Sequence, residues 1–259
     1  MKKPYILVTN DDGIDAPGLL ALKRALEEVG EVVVIAPDHN WSAAGHTKTM
    51  HKPLRVNEVK LADGSPAYAS NGAPSDCVAL GVLGFLERKP DLVVSGINEG
   101  PNLGHDVTYS GTVAAAMEGV IAGIPSIAVS LADYEVSLES EALSYAAQFI
   151  ARLAKSILAE GLRGDFLLNV NVPNLPREEI RGVEITRLGK RIYKDVLIER
   201  QDPRGRTYYW IGGEPPTGVP EEGTDIWAIA EKKISITPIK LDLTEYGLIE
   251  RLKKWGLEV

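Results

Sequence analysis

The sequence predicts a three-layer α/β/α sandwich built on a Rossmann-like, mainly parallel sheet, with a hairpin arm near the C-terminus. Through the first two-thirds of the 259 residues, short apolar runs rich in valine and isoleucine alternate with helical patterns of ten or more residues. The runs are apolar at successive positions, as in strands buried on both faces, and right-handed crossovers then place helices on both sides of the sheet. After Lys190 the alternation stops, and aromatic residues with turn signals replace it.

Each predicted strand is one of these β-branched runs, and each predicted helix is a helical pattern between two of them. The strands are expected at residues 6–9, 32–36, 92–95, 126–130 and 167–172, and the helices at residues 18–29, 75–86, 112–122 and 139–159. The sequence ADGSP is a turn signal, so residues 54–59 and 67–70 are predicted to pair as an additional hairpin.

The chain is predicted to divide into an α/β core, residues 1–189, and a C-terminal part, residues 190–259, that serves oligomerisation. The C-terminal part should contain the hairpin arm with a turn at DPRG, then a return strand at residues 234–239 and a helix at residues 244–255. An aromatic hairpin of this kind either contacts another subunit or lies on its own core, and we favour the subunit contact.

Composition and charge argue against several classes of partner. The net charge of −8 disfavours a nucleic acid polymer, which is bound by a surplus of lysine and arginine. Cys77 is the only cysteine, so neither an intrachain disulfide nor a cysteine-based metal site is expected. No stretch approaches the roughly 20 apolar residues of a membrane span, and the N-terminus lacks the pattern of a signal peptide. We therefore expect a cytoplasmic protein that does not bind membranes.

Residues whose side-chain oxygens can bind a metal ion follow three of the predicted strands. Asp11 and Asp12 end the first strand, Ser42 follows the second, and Asn98 follows the strand at residues 92–95. The carboxyl ends of parallel strands meet at one edge of the sheet, so these side chains should converge. Two adjacent carboxylates repel each other, and one divalent cation per subunit, Mg²⁺ or Mn²⁺, would offset that repulsion. A solvated turn with Asx capping is the alternative.

The stretch YSGTVAAAMEG predicts an anion site beside this cation. Ser110 can cap a helix, Gly111 permits close approach of a ligand, and the free amides of a helix N-terminus bind phosphate. Together with Thr112 and Asn102, these residues are the candidates for substrate binding, and an ordinary capped helix is the alternative. The nearby glycine-rich loop SGINEGPNLG has neither the GxGxxG spacing of a dinucleotide fold nor the lysine of a P-loop.

Seven segments together resemble the SurE family, the survival-protein 5′/3′-nucleotidases. They run in order along nearly the whole chain and read ILVTNDDGIDAPG, VVVIAPDHNWSAAGH, GAPSDCVALG, DLVVSGINEGPNLGHDVTYSGTVAAAMEG, IPSIAVS, LLNVNVP and ISITPI. The resemblance implies a SurE-like fold and a metal-dependent phosphatase that hydrolyses nucleoside 5′-monophosphates, with 3′-monophosphates as a further substrate class. It places this chain with the 5′-nucleotidases and acid phosphatase-like hydrolases.

The same resemblance implies roles for particular residues and an oligomeric state. Asp11, Asp12, Ser42 and Asn98 match the metal ligands of the family. Family members are dimers or tetramers with interlocked C-terminal parts, which implies a homodimer or homotetramer here. The chain departs from the family pattern at Tyr109, where many relatives have histidine before the sequence SGT.

Asp11 is the candidate for the catalytic carboxylate, either by orienting a water molecule or by attacking phosphorus directly. The sequence leaves both routes open, as it does the identity of the cation and the preferred nucleotide.

A haloacid-dehalogenase-type phosphatase is disfavoured because DDGID does not match its DxDx[TV] motif. A module that binds nucleotides without hydrolysis, and a phosphatase for short polyphosphate or a sugar phosphate, remain as alternatives.

Overall fold

A mixed sheet forms the centre of the molecule in the computed structural model, which describes residues 3–132, 141–161 and 166–257. Within these residues the sheet has nine strands: β1 (Tyr5–Thr9), β2 (Glu31–Pro37), β3 (Val56–Lys60), β4 (Pro66–Ser70), β5 (Leu92–Glu99), β6 (Ser126–Ala132), β7 (Leu167–Pro173), β8 (Val183–Ile185) and β11 (Ile234–Ile239). Their order across the sheet is β3-β4-β2-β1-β5-β6-β7-β11-β8. The six consecutive strands from β4 to β7 in this order are parallel, whereas β3 is antiparallel to β4 and β11 is antiparallel to β7.

Helices cover both faces of this sheet, which confirms the predicted three-layer α/β/α fold. Helices α1 (Pro17–Leu26) and α4 (Glu141–Ala159) pack together on one face, and α2 (Pro74–Leu80) and α3 (Gly111–Ile121) pack together on the other. Side chains along β5 alternate between the two layers: Leu92 and Val94 join the cluster under α1 and α4, and Val93 joins the cluster under α2. All three are fully buried, and burial of each contributes about 1.5–3 kcal/mol.

The C-terminal part projects an arm and then returns to the sheet. Strands β9 (Arg191–Gln201) and β10 (Thr207–Gly218) form a separate antiparallel ribbon. Helix α5 (Asp225–Ala230) follows, β11 then pairs with β7, and helix α6 (Tyr246–Lys253) comes last. The predicted arm and return strand are confirmed, and β11 belongs to the central sheet. The division of the chain at residue 190 into two functional parts stays a prediction.

Several element boundaries differ from the prediction. The first helix ends at Leu26 rather than at residue 29, and the last helix is shorter than residues 244–255. The helix expected at residues 75–86 is α-helical only to Leu80 and continues as one π-helical turn, which Gly84 interrupts at a φ of 120°. Helix α4 is described from Glu141 onward, so its predicted start at residue 139 lies outside the described residues.

Within residues 3–132, 141–161 and 166–257, no helix is both long enough and apolar enough to cross a membrane.

Candidate active site

A cavity of about 240 Å³ opens at the edge of the sheet where β1, β2 and β5 end. Loops that follow these strands form part of its wall, the N-terminus of α3 forms another part, and the base of the arm closes one side. The residues that line the cavity are Asp11, Ser42, Ala43, Asn98, Glu99, Gly100, Pro101, Asn102, Asp106, Tyr109, Ser110, Arg191 and Pro216. The sheet topology therefore brings together residues that are far apart in the sequence, as the carboxyl edge of an open α/β sheet is expected to do.

Asp11 is buried against the first turn of α3. Its Oδ1 accepts a hydrogen bond of 2.5 Å from the Thr112 hydroxyl, and the backbone N–H groups of Gly111 and Thr112 also donate to the carboxylate. A Cβ at position 111 would lie 2.7 Å from the Asp11 Cβ and 2.9 Å from Oδ2, so only glycine lets the carboxylate approach this closely. Burial raises the pKa of Asp11 above its usual range even though these hydrogen bonds favour the ionised form.

Asp12 lies beside Asp11 and is half-buried. Its Oδ2 accepts a hydrogen bond of 3.2 Å from the backbone N–H of Glu99. Burial, the larger cause, and repulsion from Asp11 raise the pKa of Asp12 to about 7. Neither aspartate has a lysine, arginine or histidine partner among the residues that the structure describes. The two carboxylates therefore form an electrostatically unbalanced pair.

Two neutral oxygen ligands face the same cavity. Asn98 donates its Nδ2 to the Gly100 carbonyl over 2.7 Å, and its Oδ1 accepts no hydrogen bond from the described part of the chain. The backbone N–H of Ser42 donates to Asn40 Oδ1 over 2.7 Å, and this contact holds the turn that presents the Ser42 hydroxyl. The structure thus brings Asp11, Ser42 and Asn98 to one cavity, with Asp12 adjacent.

This set of donors fits a divalent cation. The described ranges contain no group of three histidine, cysteine, aspartate or glutamate side chains that could hold a metal ion. Two carboxylates, an amide oxygen and a hydroxyl instead form an all-oxygen site, the chemistry that Mg²⁺ and Mn²⁺ prefer. A bound cation would also balance the unpaired charge of Asp11 and Asp12.

The predicted phosphate-binding residues occupy two different positions. Ser110 caps α3, because its Oγ accepts a hydrogen bond of 3.1 Å from Val113 N–H, and it lines the cavity. Asn102 also lines the cavity, but its Nδ2 donates to Ser130 Oγ over 2.8 Å. Gly111 and Thr112 instead support the Asp11 carboxylate. Contact of these four residues with a phosphate stays a prediction.

Sequence reasoning missed the residues that the arm contributes. Arg191 is the first residue of β9, and its Nε donates to Asp106 Oδ2 over 2.6 Å at the wall of the cavity. Pro216 lies close by on β10 and accepts a hydrogen bond from Arg191 Nη1. No local signal marks either residue, because neither follows a strand of the central sheet. Only the tertiary fold places them at the cavity that Asp11 also lines.

The charge on Asp12 leads to a prediction for the metal-free protein. Because the folded-state pKa of about 7 exceeds the unfolded value, stability falls as the pH rises from about 4 to about 7. We expect Asp12→Asn to raise the melting temperature in EDTA by about 2 °C or more at about pH 8, and by less at about pH 4.5. Thermal unfolding measures this, with the exposed Asp15→Asn as control. A lower melting temperature at pH 8, or an equal gain at both pH values, would contradict the prediction.

Fold and site together define a doubly wound α/β protein with an acidic, oxygen-lined cavity at the carboxyl edge of its sheet. The family model described as "Survival protein SurE" matches residues 6–195, and the chain belongs to the SurE family. Known proteins that are similar in sequence and in structure agree with this assignment.

Two relatives named "5'-nucleotidase SurE" are similar over nearly their whole length. The one from Herpetosiphon aurantiacus is 56% identical over 95% of this chain and 96% of its own. The one from Chloroflexus aggregans is 53% identical over 98% of this chain and 100% of its own. The crystal structure of the SurE protein from Aquifex aeolicus aligns with a TM-score of 0.80 and 45% identity, covering 97% of this chain and 99% of that one.

Proposed function

We propose that this chain is a metal-dependent phosphomonoesterase, a 5′-nucleotidase that hydrolyses nucleoside 5′-monophosphates to nucleoside and phosphate. The observation that carries the proposal is the carboxylate pair formed by Asp11, which lines the cavity, and the adjacent Asp12, neither of which has a cationic partner in the described residues. The relatives named "5'-nucleotidase SurE" support the reaction class and the substrate class. Nucleoside 3′-monophosphates are a further substrate class to be tested.

Asp11, Asp12, Ser42 and Asn98 would bind the divalent cation, which we propose to be Mg²⁺ or Mn²⁺. When bound, the cation supplies positive charge that stabilises the negative charge on the phosphoryl oxygens. The protein has few other sources of such charge here, because Asp11, Glu99 and Asp106 make the wall of the cavity acidic. A cation site is therefore needed before an anionic substrate can enter.

Asp11 is the proposed catalytic carboxylate. Thr112 and the backbone of α3 fix its orientation, so that it can either hold a water molecule toward phosphorus or attack phosphorus itself. Ser110 and Asn102 lie at the same cavity and would contact the remaining phosphoryl oxygens. Trapping of a phosphoaspartyl intermediate separates the two routes, because direct attack forms a bond from Asp11 to phosphorus that water must then break, whereas water attack never joins Asp11 to phosphorus.

The direct test is release of inorganic phosphate from adenosine monophosphate. We expect release with Mg²⁺ or Mn²⁺ and none in excess EDTA, with activity returning when the cation is restored. A panel of 5′- and 3′-nucleotides, a sugar phosphate and short polyphosphate identifies the preferred substrate. Binding of nucleotide with cation but without phosphate release would instead support a nucleotide-sensing module. Phosphate release that persists in EDTA would contradict the metal-dependent function.

The arm leads us to propose a homo-oligomer, dimeric or tetrameric, that assembles through residues beyond 190. Leu197 on β9 and Ile211 on β10 are cross-strand partners, so their side chains lie on the same face of the ribbon. They are 68% and 80% exposed, and Trp210 on the opposite face is 64% exposed. Helix α6 likewise has no buried residue, although its Leu248 and Leu252 are large and apolar, and Trp255 just after the helix is also exposed. Such surfaces are typical of interfaces.

We expect Ile211→Asp to shift the protein to a smaller assembly, because a charge buried at an apolar interface is costly. Size-exclusion chromatography with light scattering measures the mass over a range of concentrations. Ser144→Asp on the exposed face of α4 is the matched control, since it adds the same charge away from the arm. A monomeric parent protein, or an unchanged mass in Ile211→Asp, would contradict assembly through this face.

A further inference from the structure

The arm places one buried cationic side chain at the candidate active site. Arg191 is only 9% exposed, although arginine is among the residue types that are rarely buried without a partner. It lines the same cavity as Asp11, Ser42, Asn98 and Ser110. The other ionisable groups in the described wall are Asp11, Glu99, Asp106 and Tyr109, none of which is cationic. Arg191 is thus the single positive group in the described lining of the cavity.

The guanidinium of Arg191 is held in one orientation, but only some of its N–H groups make hydrogen bonds. Of its five N–H groups, Nε donates to Asp106 Oδ2 over 2.6 Å and Nη1 donates to the Pro216 carbonyl over 3.2 Å. The guanidinium makes no other hydrogen bond to the described residues. Since the fork is rigid and planar, the two existing bonds fix the direction of the remaining donors.

Asp106 is itself held firmly. Its second oxygen, Oδ1, accepts a hydrogen bond of 2.6 Å from the Tyr193 hydroxyl, so the arm contacts both oxygens of this carboxylate. The 3₁₀ turn Gly104–Thr108 that contains Asp106 leads directly to Ser110, whose backbone N–H donates to the Asp106 carbonyl. These hydrogen bonds join the base of the arm to the turn before α3.

Asp225 joins the base of the arm to the turn before α3 through buried hydrogen bonds. Its carboxylate is fully buried and accepts hydrogen bonds of 2.7 Å from the backbone N–H groups of Gly104 and Gly189. Gly104 packs so closely on Gly189 that a Cβ there would overlap the Gly189 carbonyl. Arg191, two residues further on, consequently has a fixed backbone position relative to the cavity.

We propose that Arg191 is a substrate-binding residue whose guanidinium contacts a phosphoryl oxygen of the bound ester. Arginine matches phosphate geometry better than any other cation in proteins, and its donors lie at the cavity that holds Asp11. The inference rests on the proposed function for the identity of the substrate. It assigns the arm a role in binding the substrate in addition to its proposed role in assembly.

The test measures binding of inorganic phosphate by calorimetry in the presence of Mn²⁺. We expect Arg191→Met to raise the Kd for phosphate about 10-fold or more and Arg191→Lys to recover part of the loss. The Kd for Mn²⁺ should not rise, because a guanidinium has no acceptor with which to bind a cation and its loss removes a positive charge from the cavity wall. Arg200→Met is the matched control, since Arg200 lies on the same strand but is exposed and outside the cavity.

A purely structural role for Arg191 gives a different result. If Arg191 served only to hold Asp106, then Asp106→Asn would weaken phosphate binding as much as Arg191→Met does, and the inference would be overturned. We expect a smaller effect in Asp106→Asn, because the guanidinium and its bond to Pro216 remain. Phosphate affinity that is unchanged in Arg191→Met, or absent in the parent protein, would also overturn the inference.

The proposed function is tested separately on the same proteins. Both proposals are supported if the parent protein releases phosphate from adenosine monophosphate and Arg191→Met raises KM by a larger factor than it lowers kcat. A parent protein that binds phosphate through Arg191 but releases none from any nucleotide contradicts the proposed function and still supports the inference. Hydrolysis with unchanged phosphate binding in Arg191→Met supports the function and overturns the inference.

Discussion

Replacing Asp11 with asparagine is expected to lower kcat for phosphate release by at least about 10³-fold. The amide has nearly the same shape and can still accept the hydrogen bond from Thr112, so the fold around α3 should be retained. It lacks the negative charge that attracts the cation, and it can neither act as a base toward water nor attack phosphorus efficiently. Because burial already disfavours the charge on Asp11, the variant should be at least as stable as the parent in EDTA.

Steady-state kinetics with adenosine monophosphate and saturating Mn²⁺ measure this effect, and circular dichroism with thermal unfolding verifies the fold. Asp15→Asn is the matched control, because Asp15 lies on the same loop but is exposed and does not line the cavity. Its kcat should stay within about twofold of the parent. If folded Asp11→Asn kept a tenth or more of the parent activity, the role assigned to Asp11 would be wrong.

Gly111→Ala is expected to lower kcat by about 10²-fold without changing any charge. The added methyl would lie 2.7 Å from the Asp11 Cβ and 2.9 Å from its Oδ2, so the carboxylate or the start of α3 must move. A displacement of about 1 Å of a catalytic group can cost about 10²-fold in rate. The backbone N–H of Gly111 would also lose its alignment with the carboxylate.

Gly119→Ala tests whether such a loss arises from the site or from general destabilisation. Gly119 lies on the same helix, where a Cβ would overlap Ser126 Oγ on β6, away from the cavity. This control should lower the melting temperature while kcat per folded molecule stays near that of the parent. Equal activity losses in the two variants, or full activity in Gly111→Ala, would show that the contact between Gly111 and Asp11 does not matter for catalysis.

The fold was largely predictable because the strongest signals in the sequence are local. The strands of the parallel sheet are short β-branched runs, and proline starts two of the helices, at Pro17 and Pro74. Strand β8 and helix α5 were missed, since they are only three and six residues long and carry no clear period. The π-helical turn after Leu80 depends on the conformation of Gly84, which the helical pattern does not reveal.

The candidate site was predictable only in part. The acidic pair and Asn98 follow directly from the rule that ligands bind at the carboxyl ends of strands, because β1 and β5 are neighbours in the sheet. The sequence indicated a free helix N-terminus at Ser110, whereas the structure uses the first amides of α3 to hold Asp11.

The polar contacts behind the loop at Asn102 could not be read from the sequence either. Asn169 and Asn171 lie on β7 in the alternating stretch NVNVP and donate to the Asn102 carbonyl, at 2.9 Å and 3.0 Å. All three are buried, so these bonds fix a loop of the cavity wall to the sheet. Like the contact of Arg191 with Asp106, this network joins distant segments and depends on tertiary structure alone.

The proposed metal site requires one divalent cation between Asp11 and Asp12, with Ser42 and Asn98 as further ligands. Crystals grown with Mn²⁺ and measured at wavelengths on both sides of the manganese absorption edge locate that cation. The expected result is a single anomalous peak per subunit within about 2.5 Å of carboxylate oxygens from both aspartates. If crystals saturated with Mn²⁺ show no peak there, or a peak bound by other residues, the proposed metal site is wrong.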